Sequence, residues 1–300
     1  MMYSLLRSTC RSHPSSKDQY YPAHGNVGLI YSMDNLLGIY EKALPKDISW
    51  EERFIRAKEA GFDFIEISVD KDRLNKLDYT EEEISSLLFL AEKYAMPFHT
   101  LTLSANRYFP IGDPEKREKG IELIRKAIRL AKKLKVEVIQ LTAYDVYQKP
   151  STEETKRLYE EAIREVLTYN EDYGIILAIE VLEDVPHFNT SKKLGDFIRK
   201  IDHPLLKEYG DTGNIVYNGY DPLQDLHDGA DIMAALHVKD AVFHNEHNVG
   251  YGEGLVDFAS VFTYLKEVHY SGYLVSECWD EEDYHPELKT ISEFIRRYMK

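Results

Sequence analysis

Four polar residues stand where short apolar runs end: Glu180 in LAIEVLED, Asp211 in YGDTGN, His237 in AALHVKD and Glu277 in LVSECWD. Three carboxylates and one imidazole make a hard, oxygen-rich donor set. It would hold one divalent ion (Mn²⁺, Mg²⁺, Co²⁺ or Zn²⁺) and leave positions for substrate oxygens. The set has no sulfur, which argues against structural zinc. It also holds two spare bases. A metal chelated by a ketone oxygen and the adjacent hydroxyl acidifies the carbon between them and stabilises the resulting enediolate. One glutamate can take the proton on one face and the other can return a proton on the opposite face, which epimerises that carbon. Return to the neighbouring carbon would instead interconvert aldose and ketose, and the residues fit both outcomes. Taken singly, a glutamate in a strand is as often the partner of a buried cation, and a histidine a hydrogen-bonded core residue. Four at one level of adjacent strands point to a metal.

The elements that must position them alternate along the chain. Strand-like runs cover 36–40, 62–68, 98–104, 136–142, 176–182, 206–211, 233–239 and 273–277, the sixth being short and rather polar. Most are apolar on both faces, as strands covered by helices outside and filled inside should be. Helical spacing links Ile84, Leu87, Leu88 and Ala91 after a Thr80 N-cap. The same spacing links Ile121, Ile124, Ile128 and Ala131, whose helix is expected to start at Asp113-Pro114. Leu158, Ala162, Ile163 and Val166 form a third stripe. Gly61, Gly174 and Gly272 precede strands, where a helix ends and the chain turns back. Eight strands alternating with helices predict an α/β fold, a single (β/α)8 TIM barrel over 36–300. Glu180, Asp211, His237 and Glu277 then come from the fifth to eighth strands, at the C-terminal face where such barrels carry their sites. Residues 1–35 are polar and without period, and read as a non-barrel N-terminal extension, disordered or preceding a natural start at Met33.

Composition narrows the function. With 43% hydrophobic residues in 300, the chain can bury one large core. A net charge of −15 and no basic stripe speak against nucleic acid. No apolar run is long enough for a bilayer span, and no signal-peptide core follows Arg7 and Arg11. Two cysteines, Cys10 and Cys278, suggest a reducing, cytoplasmic setting. No dinucleotide or P-loop fingerprint is present. The glycines of VGYGEG (249–254) suit a flexible loop as well as a phosphate cradle.

The blocks LGIYEKALP (37–45), AGFDFIEISVD (60–70), SANRYFPIG (104–112), VIQLTAYDVY (138–147), LAIEV (177–181), DTGN (211–214), HVKD (237–240) and GEGLVDF (252–258) resemble the L-ribulose-5-phosphate 3-epimerases. These are also described as L-xylulose-5-phosphate 3-epimerases of L-ascorbate utilisation, within the xylose-isomerase-like TIM barrels. The likeness covers almost all of 36–300. It implies a metal held by Glu180, Asp211, His237 and Glu277, with the two glutamates as the acid/base pair. The implied activity is 3-epimerisation of a ketopentose 5-phosphate, L-ribulose 5-phosphate or L-xylulose 5-phosphate.

A sugar phosphate needs local positive charge. Arg107, after the third strand, is the first candidate, and Lys239, two residues past His237, is the second; either could instead form an ion pair. Glu66 and Glu41 could touch sugar hydroxyls or serve as structural partners, and Tyr144 and Asp145 are rim candidates. A hexulose-6-phosphate isomerase would use the same four residues. A non-catalytic sugar-binding barrel would be expected to have lost one of them. A histidine-rich trinuclear endonuclease site does not fit the acidic charge. The 22 tyrosines leave room for a homodimer interface.

Overall fold

The computed structural model describes residues 32–300, so most of the expected extension, residues 1–31, lies outside the described residues. Ten strands are present among the described residues: β1 (Leu37–Tyr40), β2 (Phe64–Ser68), β3 (Thr100–Leu103), β4 (Val138–Leu141), β5 (Ile176–Glu180), β6 (Leu206–Asp211), β7 (Met233–Val238), β8 (Asp240–Val242), β9 (Asn245–Val249) and β10 (Tyr273–Ser276). Eight of them close a barrel in the order β1-β10-β7-β6-β5-β4-β3-β2, every pair parallel. The helices are α1 (Trp50–Glu59), α2 (Glu81–Lys93), α3 (Arg117–Leu134), α4 (Glu153–Asn170), α5 (Ser191–Ile201), α6 (Thr212–Tyr217), α7 (Pro222–Gly229), α8 (Phe258–Glu267) and α9 (Leu288–Met299). The (β/α)8 expectation holds.

Local sequence explains most boundaries. Thr80 caps α2 in a reciprocal box with Glu83. α3 begins at Arg117 rather than at Pro114, because Asp113 first closes a tight turn by accepting the Glu115 N–H at 3.1 Å. Gly61 and Gly174 adopt positive φ at the turns into β2 and β5, as expected of glycine. At the start of the described residues the Met33 N–H donates to the Met299 carbonyl at 2.7 Å, fastening this end to α9. β8 and β9 form an antiparallel hairpin that the sequence pattern did not suggest, since NEHNV is polar and carries no alternation.

The two faces of the barrel strands differ more than expected. Outward residues such as Ile65, Ile67, Leu101, Ile139, Leu177 and Ile179 join the helices in the main core. Inward residues form two small clusters, Val138, Ala178, Tyr209 and Ala235, and Tyr40, Phe64 and Val275. Two residues further along six of these strands, the same face turns polar. Glu66 follows Phe64, Gln140 follows Val138, and Glu180 follows Ala178. Asp211 follows Tyr209, His237 follows Ala235, and Glu277 follows Val275. Because side chains alternate with period two, all six face the barrel interior near its C-terminal end.

The sixth strand reads as polar for a further reason. Glu208 points outward and is wholly buried between β6, α5 and α7. Its Oε1 accepts from Ser191 Oγ, which also bonds Asp225 of α7. Burial, then the nearby Asp225, raise the Glu208 carboxyl from 4.5 to about 8; Ser191, Arg199 and Asp231 also face it, and it faces Tyr270. Burial likewise raises Asp225 to about 6. Both groups are raised above their unfolded values, so their stabilising contribution is full below about pH 4 and lost as pH rises through about 8. Glu208→Gln, which keeps the volume, should therefore flatten this decline. Thermal melts from pH 4.5 to 9 should show a gain on the order of a few kcal/mol at the alkaline end; an unchanged pH profile would refute the assignment.

Candidate metal and sugar site

Donor atoms of Glu180, Asp211, His237 and Glu277 all lie within 4.8 Å of one another, and all four residues are buried. His237 sits at the centre. Its Nδ1 is 3.0 Å from Glu180 Oε1 and 3.6 Å from both Asp211 Oδ2 and Glu277 Oε2. Asp211 is divided between two tasks. As N-cap of α6 its Oδ1 accepts the Asn214 N–H at 2.8 Å, whereas Oδ2 accepts no hydrogen bond and faces His237. Three buried carboxylates and an imidazole with donor atoms this close form a set that a divalent cation would satisfy.

The electrostatics reflect that crowding of acids. Burial raises the Glu180 carboxyl to about 7, against the lowering effect of His237. Burial opposes charge on His237, but Glu277 and Glu66 outweigh it and hold the imidazolium well above its ordinary range. Lys239 is also buried, and Asp211, Glu277 and Glu246 more than offset the desolvation, so it stays charged. Its Nζ lies 2.8 Å from Glu277 Oε2, 2.9 Å from Glu246 Oε2 and 3.2 Å from Asp211 Oδ2. Gly213 lets the lysine stem pass: a Cβ there would come within 2.5 Å of Lys239 Cγ. The glycine of DTGN is thus a packing requirement of the lysine of HVKD.

A cavity of about 350 Å³ opens over this cluster. Glu180, Glu277, Lys239 and Gln140 contribute to its wall, Lys42, Lys71 and Arg107 carry positive charge, and the β8–β9 hairpin adds Glu246 and His247. Arg107, in the single-turn helix after β3, lies 5.6 Å from the Tyr144 ring centroid, and its Nε has no hydrogen-bond partner. Among the described residues it has no carboxylate within salt-bridge distance, although Glu183 and Tyr144 raise its affinity for the proton against burial.

Other expected residues fall elsewhere. Glu66 does not reach the cavity; it is wholly buried beneath His237, bonded to it and to Tyr209, so a sugar hydroxyl cannot touch it. Glu41 is enclosed by Lys76, Arg73 and the Ser68 N–H, a structural partner. Asp145 accepts from Ser151 and Thr155 and braces the loop before α4. The VGYGEG glycines neither cradle phosphate nor hang free. The N–H groups of Gly252, Gly254 and Val256 converge on the Asp240 carboxylate at 2.8–3.2 Å, so the chain supplies its own anion.

Residues 54–298 match the sequence profile of the xylose isomerase-like TIM barrel family. The chain belongs to the xylose isomerase-like TIM barrel family. It is 36% identical over 269 residues to the L-ribulose-5-phosphate 3-epimerase UlaE of Escherichia coli (strain SMS-3-5 / SECEC), covering 88% of this chain and 94% of that one. Among solved structures of this xylose isomerase-like fold, an L-ribulose 3-epimerase superposes with a TM-score of 0.74 at 16% identity, over 88% of this chain and 93% of that one. A D-allulose 3-epimerase from Methylomonas sp. gives 0.73 at 22%, over 89% and 100%.

Sequence reasoning missed Gln140, which donates to Glu180 Oε2, and Tyr209, which donates to Glu66 Oε2 at 2.6 Å. Both were detectable. Each lies on the inward register of its strand, two residues before or level with an expected site residue. Lys42, Lys71, Glu246 and His247 gave no comparable signal, because they sit on loops and a hairpin whose path no strand pattern determines.

Proposed function

We propose that the chain is a divalent-metal-dependent 3-epimerase of a ketopentose 5-phosphate, interconverting L-ribulose 5-phosphate and L-xylulose 5-phosphate. The observation that carries this reading is the buried convergence of Glu180, Asp211, His237 and Glu277 under a cavity whose wall also carries Lys42, Lys71 and Arg107. The 36% identity to an L-ribulose-5-phosphate 3-epimerase supports this choice of substrate. These four residues would hold the ion, which when bound would polarise the ketone and acidify C3.

The rest falls to the protein's own groups. Glu180 is placed to accept and return a proton on one face of the sugar. Glu277 does the same on the opposite face of the sugar, its Oε2 beside the Lys239 ammonium. The proton removed from C3 by one glutamate is replaced from the other side by its counterpart, through a cis-enediolate. Lys239 offsets the negative charge that develops. Gln140 holds one Glu180 oxygen and thereby its orientation. Arg107, with no carboxylate partner, is the better of the two phosphate candidates, and Lys42 and Lys71 line the same mouth. Lys239 is engaged by three carboxylates and suits the sugar end instead.

The wider reading includes a small-molecule substrate, a reducing cytoplasmic setting and a homodimer. Cys278 is a free, buried thiol, and Phe89, Phe243 and Leu255 are exposed apolar side chains available to an interface. No helix among the described residues is long and apolar enough to cross a membrane.

Incubation of either ketose phosphate in D₂O with Mn²⁺ should place deuterium at C3 as the epimer accumulates. Deuterium at C1 alone would instead identify an aldose–ketose isomerase of the hexulose-6-phosphate type. No exchange with any divalent ion would leave a sugar-binding barrel.

A further inference from the structure

We propose that Glu66 and Tyr209 are positioning residues that fix the orientation and tautomer of His237, and so set how tightly the four-residue cluster holds its metal. The inference rests on the metal-dependent reading above and deepens it. The geometry is a buried chain across the barrel. Tyr209 of β6 donates to Glu66 Oε2 at 2.6 Å, and Glu66 Oε1 of β2 lies 2.8 Å from His237 Nε2 on β7. Opposite, His237 Nδ1 faces Glu180, Asp211 and Glu277. All three residues of the chain are 0% exposed.

The chemistry follows from which nitrogen is engaged. A carboxylate can only accept, so Glu66 requires the proton on Nε2. Once a cation takes the place of the Nδ1 proton, the Nδ1 lone pair is the one directed at the other three donors. A carboxylate behind a ligating imidazole also raises its basicity and restrains the ring plane. Tyr209 occupies the second Glu66 oxygen, so the carboxylate cannot rotate away. The Tyr209 ring, tilted with its centroid 4.5 Å from that of His237, closes one side of the imidazole, and Tyr40 lies 6.1 Å away on its own tilt. β2 and β6 lie across the barrel from one another, so the contact cannot arise from strand pairing. A wholly buried glutamate facing a histidine through the barrel interior has no role in packing that an apolar residue would not fill better.

The test is a calorimetric titration of the chelator-stripped protein with Mn²⁺ alone. Glu66→Gln should weaken binding 10- to 100-fold. Tyr209→Phe, which frees one Glu66 oxygen, should weaken it several-fold. Glu41→Gln, a buried carboxylate that does not touch His237, should leave it unchanged while still lowering the melting temperature. Wild-type affinity in Glu66→Gln would overturn the proposal, even if that variant melts earlier, because it would make Glu66 a counter-ion and nothing more. If Glu66→Gln does not fold, Tyr209→Phe decides: unchanged affinity there also overturns it. Failure of the wild-type protein to bind Mn²⁺, Co²⁺ or Zn²⁺ would instead refute the metal reading itself, a different result from equal binding by both proteins.

Discussion

Glu180→Gln and Glu277→Gln should each lower kcat by about 10²–10⁴-fold, and should fail in opposite ways. Glutamine keeps a carbonyl oxygen for a metal but cannot take a proton from carbon. With one glutamate replaced, the other still faces its side of the sugar. One epimer should therefore still exchange its C3 hydrogen with D₂O without inverting, while the second epimer is inert. The other variant should show the reverse preference. Proton capture by a single residue, or by solvent, predicts the same epimer surviving in both variants, and that pattern would eliminate the two-base reading. Metal content, measured alongside, separates a lost base from a lost ligand.

Stripping the metal is the second large effect. Without a cation, three carboxylates face one another around His237 and Lys239, with the Lys239 ammonium between Asp211 and Glu277. Chelation should reduce turnover to background and lower the melting temperature. Added ion should restore both, the stabilisation growing as RT ln(1 + [L]/Kd). Asp211→Asn, which keeps the α6 cap, should need much higher Mn²⁺ for half-maximal activity. Full activity after exhaustive chelation would refute a metal-dependent epimerase.

The fold and the placement of the site were legible for one physical reason: barrel strands alternate strictly, and their ends point one way. Glu180, Asp211, His237 and Glu277 occupy equivalent inward positions, so strand assignment alone brings them together. Reading the same register one strand at a time also brings in Gln140 and Glu66. For Glu66 the sequence leaves a sugar contact and a structural partner equally open, because a strand-end glutamate looks the same in sequence whether it lies above or below the ligands. The hairpin and the Asp240-centred loop were not legible. Their shape depends on backbone N–H groups meeting one carboxylate, and backbone donors leave no trace in residue identity.

That hairpin bears on how the barrel could be re-engineered. Loops around a barrel mouth are usually treated as exchangeable parts that alter substrate choice and leave the chemistry alone. Here Glu246 of β9 grips the same ammonium that touches Asp211 and Glu277. A grafted hairpin lacking that carboxylate would hand Lys239 entirely to the acid/base layer and shift its charge balance. Selectivity and turnover would change together, and a library built on this segment would have to retain an acid at position 246 to explore one without the other.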